Sequence, residues 1–436
     1  MIFNGDYKPR DPAIHPPGYH PAYKTTVLRS PTRALVPLHQ TLTERTGPIF
    51  TRQFLDPLDS DLIANARVDA DPIGERMVVY GRVLDENAHP VRNTLIEVWQ
   101  ANAAGRYRHR NDSYMAPLDP NFGGAGRCLT DDDGWYMFRT IKPGPYPWPN
   151  GHNAWRPAHI HLSLFGPAFT TRLITQMYFQ GDPLLPLCPI YNSVPDDEAR
   201  QRLVAPLDMD AATPHDSLAY RFDIVLAGAQ GDTVRQSRVR RTGMLKETAS
   251  QTAGPYVHIG LDRREGLNVV AGDGAAGERI RIEGVVYDGA GEPVRDALIE
   301  IWQANAHGKY DHPEDTQDKP VDPAFSGWGR CACDRETGLF HFETVKPGPV
   351  PGRDVRMQAP HVNVTIFARG VNSHLVTRLY FDDEIDANAS DPVLNALPSA
   401  QGAQTLIARR ESREGRNVYR FDIRLQGDGE TVFFDV

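Results

Sequence analysis

Apolar and polar residues alternate with a period of two along several short stretches of this chain, as they do in strands with one face toward a core. The alternation is clearest in Thr94-Leu95-Ile96-Glu97-Val98-Trp99 and in Ala158-His159-Ile160-His161-Leu162-Ser163-Leu164-Phe165. Turn-forming runs such as Asp85-Glu86-Asn87 and Asp131-Asp132-Asp133-Gly134, together with Pro-rich connections, separate such stretches. Few segments carry a helical period. Residues 196–203 are the best short candidate, and residues 30–70 hold another short helix or a loop arm. The pattern predicts an all-β protein built as a sandwich of short strands.

The pattern also repeats, with copies roughly 200 residues apart. Val98-Trp99-Gln100-Ala101-Asn102 returns as Ile301-Trp302-Gln303-Ala304-Asn305, and Lys142-Pro143-Gly144-Pro145 as Lys346-Pro347-Gly348-Pro349. Tyr220-Arg221-Phe222-Asp223-Ile224 returns as Tyr419-Arg420-Phe421-Asp422-Ile423. A period this long marks a duplicated domain, not a solenoid. The expected division is 1–228, a linker at 229–246, and 247–436. The linker holds a basic run, Arg235, Arg238, Arg240 and Arg241, suited to a solvated surface, and Met244 stands just before the second copy.

Composition sharpens this picture in a few places. The 36 prolines and 37 glycines in 436 residues favour loops and strands over helical bundles. A net charge of −9 argues against nucleic-acid binding and means that an anionic ligand needs locally placed cations. Cys128, Cys188, Cys331 and Cys333 form no CxxC pair and read as reduced thiols. Residues 1–16 include Asp6, Lys8, Arg10 and Asp11 without an apolar core, and no apolar run approaches the ~20 residues of a membrane span, so a soluble, cytoplasmic protein is expected.

Chemistry concentrates in the first copy. On a strand, His159, His161 and Ser163 share one face, and Ile160, Leu162 and Leu164 share the other. The second copy keeps the apolar face but has Asn363 in place of His161, Val350 in place of Tyr146 and Gly352 in place of Trp148. Packing therefore does not demand these residues, and they read as a site present in one half. A carboxylate partner for the two histidines is missing, because residues 162–197 contain no Glu and Asp182 sits in a Gly-Asp-Pro turn. Tyr107 and Tyr146 are better candidates; Tyr146 is held between Pro145 and Pro147. A phenol with an ordinary pKa of ~10 binds as phenolate only to a strongly acidic cation, and this hard donor selects Fe(III).

The run Glu97-Val98-Trp99-Gln100-Ala101-Asn102-Ala103-Ala104-Gly105-Arg106-Tyr107 resembles the signature of the intradiol ring-cleavage dioxygenases. So does Tyr146-Pro147-Trp148 followed by Trp155-Arg156-Pro157-Ala158-His159-Ile160-His161. Residues 1–228 resemble the iron-holding subunit of the two-subunit members. Residues 247–436, including Ser250-Gln251-Thr252-Ala253-Gly254-Pro255-Tyr256, resemble its metal-free partner. The departure is the fusion of two usually separate chains.

The resemblance implies two homologous β-sandwich domains of the intradiol dioxygenase type, with long loops and few short helices. It implies one Fe(III) per chain on Tyr107, Tyr146, His159 and His161, with Tyr107 and His159 equatorial, and no organic cofactor. Arg156 would stabilise negative charge on the substrate ring. Gln176 and Ile190 would shape the oxygen side, with Trp148 as pocket wall and Trp99 as wall or ordinary core. Tyr23, Thr252, Pro255 and Arg369 would contact the substrate. His20, His109 and His152 are read as solvated or supporting residues. Protocatechuate and O2 are the expected substrates, in aromatic catabolism, with catechol or hydroxyquinol as alternatives. A non-catalytic β-sandwich binding module is the reading from another class. A homo-oligomer is expected.

Overall fold

The computed structural model describes residues 9–227, 244–262, 266–353 and 356–436. Residues 1–8 and the basic run at Arg235, Arg238, Arg240 and Arg241 lie outside them. In the first half, Val204–Ala205, Arg172–Phe179, His159–Phe165, Leu95–Gln100 and Ala125–Leu129 lie side by side in one sheet. A second sheet is centred on Arg76–Asp85, flanked by Trp135–Ile141, Leu218–Arg221 and Ile224–Leu226. Ile96, Val98, Ile160, Leu162 and Leu164 from the first sheet meet Met77, Val79, Val83 and Phe138 from the second in one core. The expected apolar face of the histidine strand is thus the inner face of a sandwich.

The second half repeats the plan. Leu298–Trp302 lies between Trp328–Ala332 and His361–Phe367, and Arg279–Tyr287 pairs with Leu339–Val345. Its two sheets run into one another through Ile407–Arg413, which pairs with both Leu375–Phe381 and Arg416–Arg420. Helices are few and short. The segment expected at 196–203 is helical over Asp197–Gln201, with the Asp196 carboxylate capping it at Ala199 N. Residues 30–70 supply a one-turn helix, Leu42–Arg45, closed by a Thr41/Glu44 capping box. The four cysteines are free thiols. No helix among the described residues is long and apolar enough to cross a membrane.

Alternation predicts that one face of the histidine strand meets solvent, yet every residue of His159–Phe165 is buried. The reason is the second half, which covers that outer face. Trp99, Tyr107 and Ile174 pack there with Ala253, Val257, Leu261, Leu298 and Phe367. Each half also sends an arm onto the other. Val36–Pro37 pairs with Phe434–Asp435 at the C-terminal edge. In the opposite direction, Gln251 N donates to Ile174 O and Thr248 N to Val225 O. Gly260, in the Val257–Leu261 helix, lies so close to Trp99 that a Cβ there would sit 2.7 Å from the indole.

Between the halves lies a sealed ionic network. Arg330 bridges Glu97 of the first half and Glu300 of its own half at 2.8 and 2.7 Å, and Arg172 of the first half reaches Glu300 at 2.8 Å. These four side chains are at most 2% exposed. Two cations and two anions cancel, which is the condition for tolerating charge so far from water.

Candidate active site and metal centre

The pleat and register of the first sheet place the chemistry. His161 sits opposite both Trp99 and Gln176, and His159 sits opposite Tyr178. The Trp99 indole stacks on the His161 imidazole with centroids 4.9 Å apart and planes within 5°. Tyr146 lies on a two-residue strand that pairs with Trp155–Arg156 just before the histidine strand begins. Tyr107 follows a turn at Gly105, whose φ of +81° and approach to Pro145 O leave no room for a side chain. That approach joins the Tyr107 loop to the Tyr146 strand.

Four rings converge as a result. Tyr107 and Tyr146 have centroids 5.4 Å apart, Tyr146 and His159 5.6 Å, and His159 and His161 4.9 Å. His159 Nδ1 donates to Pro157 O at 2.7 Å, which fixes the tautomer and leaves Nε2 a lone pair facing Tyr146 Oη at 3.3 Å. Burial, then the Arg156 cation, hold both imidazoles well below their ordinary range, so both are neutral. Burial, then Tyr146, push the Tyr107 phenol well above its ordinary range, and its buried oxygen has no hydrogen-bond partner among the described residues. Neutral imidazoles and an orphaned phenol oxygen suit a hard trivalent cation, which would supply the charge that makes phenolate stable there. Among the described residues no group of three or more His, Cys, Asp or Glu side chains is placed to hold a metal ion.

A cavity of about 720 Å³ opens above these rings. It is lined by Tyr23, Tyr146, Trp148, Arg156 and Ile190 of the first half, and by Thr252, Pro255 and Arg369 of the second. Gln176 does not line it. Its Oε1 accepts from Arg156 and from Tyr178 Oη at 2.9 Å, while its Nε2 donates to Thr252 O at 2.8 Å. It therefore braces Arg156 against the second half. Arg156 is buried, lies 5.5 Å over the Trp148 ring, and keeps an Nε–H without a partner. Gly254, with φ of +73°, closes over His161, where a Cβ would stand 3.3 Å from the ring.

The model for the family described as Dioxygenase matches residues 45–228 and again 252–427, and that for the protocatechuate 3,4-dioxygenase beta subunit N terminal matches residues 9–41. The chain belongs to the intradiol ring-cleavage dioxygenases. Members of this family use non-haem iron. This dioxygenase is 56% identical over 220 residues to the protocatechuate 3,4-dioxygenase beta chain of Burkholderia cepacia, a match covering 50% of this chain and 93% of that one. It is 49% identical over 201 residues to the alpha chain of Pseudomonas putida, covering 44% and 98%. The two kinds of relative cover two parts of the chain, consistent with a fusion. A hydroxyquinol 1,2-dioxygenase of Rhizobium sp. (strain MTP-10005) is 37% identical over 28% of this chain and 43% of its own length.

The second half of the dioxygenase shows what replaces the site. Tyr310 and His361 occupy the places of Tyr107 and His159, but the Leu42–Arg45 helix of the first half fills the space between them. Tyr310 Oη donates to Thr43 Oγ1 at 3.0 Å, His361 Nε2 lies 3.1 Å from that hydroxyl, and Asn363 Nδ2 donates to Thr43 O at 3.1 Å. The Arg156–Gln176 pair reappears transposed as Gln358–Arg378, joined at 2.7 Å, and Arg378 turns its other amine to Glu44. Other residues at the first-half site carry no motif that would flag them. Asp112 accepts from Tyr107 N at 2.8 Å and Tyr114 N at 3.0 Å, and the Tyr256 ring lies tilted against Tyr107 with centroids 4.6 Å apart. An echo of Asp112 exists in Asp315, which accepts from Tyr310 N at 2.8 Å, so comparing the two copies could have singled it out.

Proposed function

We propose that this dioxygenase is a protocatechuate 3,4-dioxygenase in which one chain does the work of two. In this reading residues 1–228 are the iron-binding catalytic domain, 229–246 the linker and 247–436 a metal-free supporting domain. One iron per chain is held by Tyr107, Tyr146, His159 and His161. The observation that carries the reading is the convergence of two neutral imidazoles and two phenols under a cavity whose far wall, from the other half, presents Arg369.

When bound, Fe(III) supplies a Lewis-acidic centre that holds a catecholate and makes its ring reactive toward O2. The chain's own residues do the rest. Tyr146 lines the cavity, so its oxygen, which would be a phenolate when it holds the metal, is the one placed to take a proton from an incoming hydroxyl and become a neutral phenol, while Tyr107 is shut beneath it. The unpaired Nε–H of Arg156 faces charge that builds on the substrate, in a site dry enough for that contact to count. At the far end Tyr23 Oη accepts from Gly370 N at 2.9 Å and is also hydrogen-bonded to Thr252, so the second half holds this phenol in the cavity wall where a carboxylate would meet it. Arg369 stands beside it, and its backbone is clamped from both sides. Its N–H donates to Asp296 at 3.1 Å, and its carbonyl accepts from Arg29 at 2.8 Å. Arg29 also neutralises Asp296 at 2.8 Å, so this pocket acid does not repel an anion.

The supporting half thus contributes a cation and a wall, which explains its retention without metal. Fused protomers are proposed to assemble further as homo-oligomers, in the cytoplasm. The test is oxygen uptake with protocatechuate and catechol side by side, following product absorbance. Protocatechuate is expected to be preferred by at least about 100-fold in kcat/KM, which is ~2.7 kcal/mol of discrimination from the carboxylate contacts. Preference for catechol or hydroxyquinol would sink the substrate assignment. A colourless iron-loaded protein would sink the tyrosine ligand set.

A further inference from the structure

Where Tyr256 lines the cavity, over the buried Tyr107, stands a group of polar side chains that the proposed chemistry does not use. Tyr256 packs against Tyr107 with centroids 4.6 Å apart, His109 lies 4.9 Å from Tyr256, and His258 lies 6.2 Å from His109, so the four rings form a row. His109 and His258 both line the cavity, as does Arg335 from a turn of the second half. Asn111 N donates to His109 Nδ1 at 3.2 Å, so the ring proton sits on Nε2, and that nitrogen is buried without a partner among the described residues. His258 is 7% exposed, yet neither of its ring nitrogens has a partner among the described residues. A buried donor left without an acceptor is costly, so two neighbouring rings in this state point to something that binds them.

The local charge says what that is. Arg335 and Arg110 have no ion pair or hydrogen bond among the described residues, and Arg335 acts on both imidazoles. Of the acids nearby, Asp112 is engaged by two backbone N–H groups and Asp296 by Arg29. Asp262, which faces Arg335, is also drawn toward Arg330. The unpaired Arg335 and two orphaned imidazoles therefore line one space from opposite halves, and Arg110, next in the chain to His109 and acting on it, adds a second cation at its edge, in a chain whose net charge of −9 repels anions elsewhere.

We propose that His109, Arg110, His258 and Arg335 form a vestibule that binds the carboxylates of the ring-opened product on its way out. This rests on the intradiol reading above. Cleavage between two hydroxyl-bearing carbons, with both atoms of O2 entering the product, turns each carbon into a carboxylate. A substrate with one carboxylate leaves with three. One is matched by Tyr23 and Arg369 at the inner end. The two new ones form near the metal-side rings, where the row from Tyr107 to His258 begins.

The probe is tricarballylate, a saturated tricarboxylate, titrated calorimetrically into the full-length protein and also used as an inhibitor of turnover. The wild type is expected to bind it, and Arg110→Met/Arg335→Met is expected to bind about tenfold more weakly, with kcat at saturating protocatechuate and the visible spectrum unchanged. Arg335→Lys should recover part of the loss, and His258→Phe should weaken binding without a change in net charge. Equal affinity in the wild type and the double variant, or no binding by the wild type, would overturn the vestibule. Because calorimetry needs no turnover, a failed substrate assignment would leave this result readable. Loss of binding in Arg369→Met but not in the double variant would place the anion at the inner end and also overturn the proposal.

Discussion

Each side chain at the site is set by a neighbour that the chemistry itself does not use. His159 keeps its lone pair inward because Pro157 O takes its other proton, and Arg156 is aimed by Gln176, which is anchored in turn on Thr252 of the other half. Arg156→Gln is expected to lower kcat/KM by about 10²–10³-fold, chiefly through kcat, measured by steady-state oxygen uptake. Tyr107→Phe is expected to shift the visible phenolate band of the iron-loaded protein, whereas Trp99→Phe, which alters a stacked neighbour, should leave it in place; absorption spectra of the two decide it. His159 and His161 are legible in the sequence because strand alternation puts them on one face, and because the second copy keeps the first as His361 but replaces the second with Asn363. Tyr178, Tyr256 and His258 are not legible. They reach the site through cross-strand register or from the opposite half, and neither route leaves a local pattern.

At the scale of elements, two arms exchange between otherwise similar sandwiches, and they do opposite things. The segment around Gly254 closes over His161 and leaves the cavity open, while the Leu42–Arg45 helix fills the corresponding space with Thr43 and Glu44. Restoring ligands alone is therefore insufficient. Val350→Tyr/Asn363→His is expected to leave iron at one per chain by metal analysis. Adding Thr43→Gly, Glu44→Gln and Arg378→Gln should raise the ratio toward two. A second iron in the first variant would contradict the arm's role. The sandwich and its duplication could be read from alternation and repeat spacing. A short helix or arm within residues 30–70 could be expected as well, but not where it docks, because a one-turn helix held by a capping box has no periodic signature and its position is decided by the partner it fills.

For the molecule as a whole, the sealed Glu97–Arg330–Glu300–Arg172 network ties docking of the halves to folding. Arg330→Met leaves carboxylate charge uncompensated in a dry interface and is expected to cost about 3–5 kcal/mol by denaturant unfolding. Burial alone would raise the Glu300 carboxyl, but Arg172 and Arg330 outweigh it and hold it below its ordinary range. A carboxyl with a depressed folded pKa contributes stability above its unfolded value of ~4.3, and that contribution fades as pH falls through the lower folded value. Acid titration should therefore show wild-type stability dropping below about pH 4, with a shallower slope in Glu97→Gln/Glu300→Gln/Arg172→Met/Arg330→Met, which removes the network without stranding either sign.

The transposed pair, Arg156–Gln176 in one half and Gln358–Arg378 in the other, makes the division of labour hard to undo. Reverting Arg378 alone strands the Glu44 carboxylate in the interior, and reverting Gln358 alone sets two guanidinium groups face to face. In each half the cation and its amide partner are thus exchangeable only as a pair, together with the acid that answers them, and not one position at a time.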